Sequence, residues 1–206
     1  MAKVEFFYDY SSPWTYLAFT KISGICQKYS ATLEWRPILV GGIFNTINPS
    51  VYEFRERGVP AKAKYAAKDL QDWARFYGLK IGSPSVFPVN SVKALRGAVV
   101  ALEHPETFLR YSYRVFESYW GEDKDISRDD VLRGVIEEVG LDAQEYFDKI
   151  NRQEYKDRVR ANTDEVIARG GFGTPTIFVN GVMFFGNDRL VLVEEELRRE
   201  QKKSEG

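Results

Sequence analysis

Hydrophobic and polar positions change rhythm several times along this chain, and each change marks an element. Residues 4–10 are aromatic and apolar with β-type side chains, the pattern of a buried strand. Ser12-Pro13 then starts a helix, with serine as N-cap and proline at the first helical position, where a missing N–H costs nothing. That helix is predicted to reach residue 29, and residues 32–39 alternate as a second strand. Strand, helix and strand make a right-handed parallel unit. Gly41-Gly42 closes it, and 44–60, with Asn45, Asn48-Pro49 and Gly58, is predicted to be rich in loop. A helical period holds over 61–77, stopped by Gly78. Residues 79–89 carry Pro84 and Pro88 and are predicted to be irregular or extended. Further helices are predicted at 90–102, 105–120, 131–139, 142–150 and 153–169. The period then drops to two. Residues 176–179 and 182–185 flank Asn180-Gly181, a strong hairpin signal, and Asp188 stands near the N-cap of a helix over 189–199. The charged tail, 198–206, is predicted to fray.

Composition narrows the chemistry. With 206 residues, 44% hydrophobic and 29% charged, the chain can bury the core of one large domain or of a domain with an insertion. A net charge of −1 without a basic block argues against nucleic acid or a membrane surface as the main partner. No run approaches a membrane-spanning helix, and residues 1–5 lead straight into the first strand. No leader peptide is expected, and a cytoplasmic protein is the default expectation. The single cysteine, Cys26, leaves no internal disulfide or cysteine-based zinc site and reads as a small buried residue of the first helix. The single histidine, His104, stands before Pro105 and cannot build a metal site or a Ser-His-Asp triad. No metal is expected. Chemistry must come from hydroxyls, carboxylates, lysine, arginine or a reactive group carried by a ligand. The helix start at Ser12 suits the last option. Unpaired N–H groups and a partial positive charge would stabilise an anion there, including a thiolate, within a turn of the Ser11, Ser12 and Thr15 hydroxyls.

The element order is βαβ, a long helical block, then ββα. Without the block, the rest makes an α/β thioredoxin-like fold around four strands. Residues 1–42 and 170–206 form that domain in this reading, and 43–169 form an inserted helical domain. Five stretches carry a closer resemblance: Tyr8-Asp9-Tyr10-Ser11-Ser12-Pro13-Trp14-Thr15-Tyr16-Leu17, then residues 60–65, 69–78, 171–176 and 184–190. Together they resemble the DsbA-related branch in which serine replaces the active-site cysteine. Its members are kappa-class glutathione transferases and 2-hydroxychromene-2-carboxylate isomerases, and residues 69–78 and 185–189 resemble the isomerases more.

The resemblance implies glutathione as the cofactor and Ser12 as the catalytic residue, hydrogen-bonding the cofactor's sulfur; the doubled serine leaves Ser11 as an alternative. It implies that Thr174, before a cis Pro175, pairs with the cysteinyl part. Phe185, Gly186, Asn187 and Asp188, at a helix start, would hold a carboxylate and the γ-glutamyl ammonium. Lys62 would face the glycine end or an acidic substrate, and Arg57 and Lys64 are further cations for a substrate carboxylate. Asn48 and Asn90 are candidates for the acceptor pocket. Trp14, Tyr65, Trp73 and Phe76 read as core. The activity implied is isomerisation of a 2-hydroxychromene-2-carboxylate to a trans-o-hydroxybenzylidenepyruvate by thiolate addition, ring opening, rotation and elimination. The small aromatic carboxylate is the expected partner, with a homodimer suggested by the family. A kappa-like transferase and a non-catalytic thioredoxin-fold binding protein are the alternatives.

Overall fold

Strand β1 (Lys3–Tyr8) runs through the middle of the molecule, flanked on both sides by other strands. The computed structural model describes residues 1–205, with the side chains of 54–56, 204 and 205 outside the description. Helix α1 (Pro13–Lys28) leads to β2 (Thr32–Pro37), which pairs parallel with β1. β3 (Thr176–Val179) pairs antiparallel with the other side of β1, and β4 (Val182–Phe185) pairs antiparallel with β3. The sheet order is β2-β1-β3-β4. Asn180 and Gly181 take positive φ, 47° and 88°, as a two-residue hairpin turn requires. Successive β1 side chains feed opposite faces. Val4, Phe6 and Tyr8 join the large core beneath α1 and the helical block, while Phe7 packs with Ile38, Ile43, Val166 and Phe178 on the other face.

The helical block comprises α2 (Val40–Thr46), α3 (Ser50–Arg57), α4 (Pro60–Tyr77), α5 (Val92–Ala101), α6 (Pro105–Phe116), α7 (Asp129–Val139), α8 (Ala143–Asn151) and α9 (Gln153–Ala168). After β4, a 3-10 turn (Asn187–Arg189) leads into α10 (Leu190–Glu205). Gly78 ends α4 in the left-handed region, as expected. A single π turn (Glu117–Gly121) extends α6, and the Trp120 indole N–H donates to the Tyr10 carbonyl at 2.9 Å. No helix among the described residues is long and apolar enough to cross a membrane.

Two expectations fail. Most of 44–60 is helical, in α2 and α3, and Gly41-Gly42, expected to end an element, lies inside α2. The cause is tertiary. The Val40 N–H donates to the Asp9 carboxylate and the Leu39 N–H to Thr163 Oγ1, so residues far along the chain cap α2. The tail does not fray before Glu205. Ion pairs of Glu195 with Arg198 and Arg199, and of Glu200 with Lys203, lie at i,i+3 and i,i+4 spacing along α10.

Candidate active site

The turn from β1 into α1 leaves hydrogen-bonding capacity at the tip of the helix. Ser12 is the N-cap, and its Oγ accepts from the Thr15 N–H at 3.2 Å. The Tyr16 N–H goes to the Ser12 carbonyl, and Pro13 has no N–H. The Trp14 N–H is left without an acceptor among the described residues. The Ser12 hydroxyl donates across to the Thr174 carbonyl at 3.4 Å, a long bond that a better acceptor would displace. Ser11 is tied down differently, its backbone N–H donating to Asp9 Oδ1 at 2.9 Å.

Facing this tip, the Thr174-Pro175 peptide bond is cis, as expected. Thr174 Oγ1 donates to the Phe7 carbonyl at 3.2 Å, so Thr15 Oγ1, 2.9 Å away, is the donor to Thr174. This buried hydroxyl chain locks the side chain of Thr174. Its backbone N–H makes no hydrogen bond among the described residues and stays open to an added strand.

A cavity of about 570 Å³ opens beside the two turns, lined by Trp14, Asp69, Trp73, Thr174, Pro175 and residues 185–189. It brings together six of the residues expected there: Thr174, Pro175, Phe185, Gly186, Asn187 and Asp188. Gly186, at φ 99°, makes the bend, and its N–H donates to the Pro175 carbonyl. Asn187 is only 2% exposed, and neither amide atom makes a well-formed hydrogen bond. The Tyr77 hydroxyl approaches it without full geometry. Asp188 caps nothing through its side chain; it pairs with Arg189, and both are exposed.

Asp69, Trp14, Trp73 and Arg189 are cavity residues that the sequence did not single out as such. Trp14 and Trp73 are half-buried, packing against the core and also walling the cavity, while Tyr65 and Phe76 are largely exposed. The usable signal was spacing: Asp69 and Trp73 stand i,i+4 on α4, and Lys62 lies two turns earlier on the same face. Lys62 and Lys64 are exposed and outside the cavity lining, and Arg57 is exposed at the end of α3. Asn48 donates to the Phe172 carbonyl at 3.0 Å, holding the segment before Thr174. There the Phe172 ring packs 4.3 Å from that of Phe185, both partly exposed. Asn90 Oδ1 accepts from the Val92 N–H at the start of α5, so half of its amide is engaged locally. Cys26 is buried, and burial pushes its thiol up to about 12, so it stays protonated.

Asp9 underpins the turn. Fully buried, its carboxylate accepts from Ser11 and Val40, yet burial outweighs these bonds and raises its pKa above the ordinary aspartate value. A raised folded-state pKa means that the native protein binds the proton first as pH falls. The resulting stability is complete below the unfolded-state value, about 3.9, and is lost as pH rises through the folded-state value. Asp9→Asn should remove that part of the pH dependence. It should also cost about 1–3 kcal/mol, because one backbone donor loses its acceptor. Denaturant unfolding of both proteins from pH ~4 upward checks this; parallel stability-against-pH curves would contradict it.

Comparison with known proteins agrees with the fold. A family model described as DSBA-like thioredoxin domain matches residues 3–198. The 2-hydroxychromene-2-carboxylate isomerase of Pseudomonas sp. (strain C18) is 30% identical, over 93% of this chain and 88% of its own. Human glutathione S-transferase kappa 1 is 28% identical, over 92% of this chain and 88% of its own. A solved structure of 2-hydroxychromene-2-carboxylate isomerase superposes with a TM-score of 0.83 at 27% identity, covering 98% of this chain and 97% of that one. Fold, motifs and kinship together place the chain in the DSBA-like thioredoxin family and, within it, in the 2-hydroxychromene-2-carboxylate isomerase family of enzymes.

Proposed function

We propose that this chain is a glutathione-dependent isomerase of 2-hydroxychromene-2-carboxylate-type substrates, yielding trans-o-hydroxybenzylidenepyruvate-type products. One observation carries the reading: a weakly engaged Ser12 hydroxyl at the tip of α1, facing a cis-proline, in a chain with no cysteine at that turn. Glutathione, when bound, supplies a nucleophilic thiolate that is returned unconsumed.

The residues present fit that cofactor. The Ser12 O–H and the Trp14 N–H are two donors for a sulfur anion, helped by the α1 dipole. The open Thr174 N–H suits the cysteinyl backbone. The buried, unsatisfied Asn187 amide offers both a donor and an acceptor to the γ-glutamyl end. Asp188 can exchange its exposed partner Arg189 for the ligand's ammonium, since exposed ion pairs are worth little. Lys62 lies roughly 10 Å along α4 from Asp69, on the cavity side, and suits the glycine carboxylate. Phe172 and Phe185 present flat apolar surface to an aromatic substrate. Arg57 and Lys64 are its candidate cations, and Asn48 and Asn90 are further polar candidates for it. The place of Ser12 at the N-cap, with its hydroxyl turned to Thr174, supports Ser12 over Ser11 for the thiol. Exposed Tyr65 and Phe76 on α4 support a homodimer.

The kinship to the kappa transferase favours a second reading, in which the conjugate is retained. Chromene conversion at sub-stoichiometric glutathione separates the two. We expect many turnovers per glutathione with the cofactor recovered intact; stoichiometric loss of glutathione would sink the isomerase and support the transferase.

A further inference from the structure

A second cavity, of about 380 Å³, lies between α2, α5 and α9 and shares no lining residue with the first. Its apolar walls include Leu39, Val92, Val159 and Ile167. Three cations, Arg96, Lys156 and Arg160, face two carboxylates, Asp157 and Asp164. Both carboxylates are engaged and exposed: Asp157 accepts from Gln153, and Asp164 stands 3.8 Å from Arg160. Arg96 and Lys156 are both partly buried, and neither side chain has a hydrogen bond or ion pair among the described residues. Burial alone pulls the Arg96 pKa down, the sign of a guanidinium that has lost water without gaining a partner. Lys156 lines the same cavity, so an anion bound there would give Arg96 the partner it lacks with a second cation beside it.

We propose that this cavity is a binding site for a small carboxylate with an apolar, preferably aromatic, body, held by Arg96 and Lys156. The planar guanidinium matches a carboxylate edge in two parallel hydrogen bonds. The walls cover the remainder of the ligand, which inorganic anions lack. Gly42 and Thr46 line this cavity on one side of α2, whereas Phe44, on the other side, points toward Gly173 beside the cis-proline. The ligand would therefore rest on the back of the helix that borders the Ser12 site. This site stands independently of the glutathione assignment.

Benzoate is the probe, titrated into the whole protein and followed by backbone amide and arginine Nε NMR shifts. We expect saturable shifts in α2, α5 and α9, with or without saturating glutathione. Arg96→Met should weaken binding roughly tenfold or more, the loss of a charge-assisted hydrogen-bond pair. Lys156→Met, a change on a partly exposed helix face, should weaken it less and serves if Arg96→Met does not fold. Phosphate should displace benzoate poorly. Absence of saturable shifts, shifts confined to the residues around Ser12 and Asn187, or wild-type affinity in both variants would overturn the site. Displacement by phosphate at equal concentration would overturn the apolar carboxylate as its ligand.

Discussion

Ser12→Ala should lower kcat/KM by on the order of a hundred- to a thousandfold, the usual loss when one donor to a developing or stabilised anion is removed. The hydroxyl makes only a long bond to the Thr174 carbonyl, so its proton is free to turn toward a sulfur. The α1 dipole and the Trp14 N–H remain in the variant, which limits the loss. The same change removes the acceptor for the Thr15 N–H. That N-cap loss costs about 1 kcal/mol, or roughly 2–4 °C in Tm for a chain of this size. A thousandfold kinetic loss corresponds to about 4 kcal/mol, so the catalytic effect stands clear of the structural one. Ser12→Thr, which keeps the hydroxyl, should restore much of the rate. Steady-state kinetics and thermal melts on the same samples check both. A full rate in Ser12→Ala with a large loss in Ser11→Ala would move the role to Ser11.

Gly97→Ala should destabilise the protein by about 3 kcal/mol or more, lowering Tm by roughly 10 °C. On helix propensity alone the change would stabilise by up to about 1 kcal/mol. Here sterics win. A Cβ on Gly97 would sit 2.1 Å from the Tyr146 hydroxyl and 2.4 Å from that of Tyr111. Both rings are buried, with nowhere to move. Tyr111 donates to the Ala94 carbonyl at 2.8 Å, and the two hydroxyls lie 3.0 Å apart, so displacing them also leaves buried polar groups unpaired. Tyr146→Phe removes the nearest clashing oxygen, so Gly97→Ala in that background should cost less. Thermal and denaturant unfolding of the two single variants and the double variant test this, and equal costs in both backgrounds would contradict it.

Much of the fold was legible because its signals are local. Ser12-Pro13 writes a cap and a first turn into adjacent residues, Asn180-Gly181 writes a hairpin, and Gly78 writes a helix stop. Helix α2 was missed because nothing local caps it; its caps are Asp9 and Thr163, 31 and 124 residues away from the donors they satisfy. The site divided in the same way. Residues 185–188 and Thr174-Pro175 lie next to turn signals and meet in one cavity. Asp69, Trp73 and Arg189 sit within regular periods or ordinary charge patterns, and only the approach of α4 to the sheet's end makes them a wall. The resemblance supplied what spacing could not, the expectation of a thiol cofactor. The unsatisfied amide of Asn187 was invisible in sequence, since an Asn at a helix start looks like any cap.

The most direct test is the ionisation of the cofactor's thiol on the protein. Glutathione is titrated against pH in the presence of excess enzyme, following thiolate absorbance, with Ser12→Ala in parallel. The wild-type protein should shift the bound thiol's pKa below that of free glutathione, and Ser12→Ala should return most of that shift while still binding the tripeptide through Thr174, Asn187 and Asp188. Failure of the wild-type protein to bind glutathione, or an unshifted thiol pKa in the complex, would contradict the account.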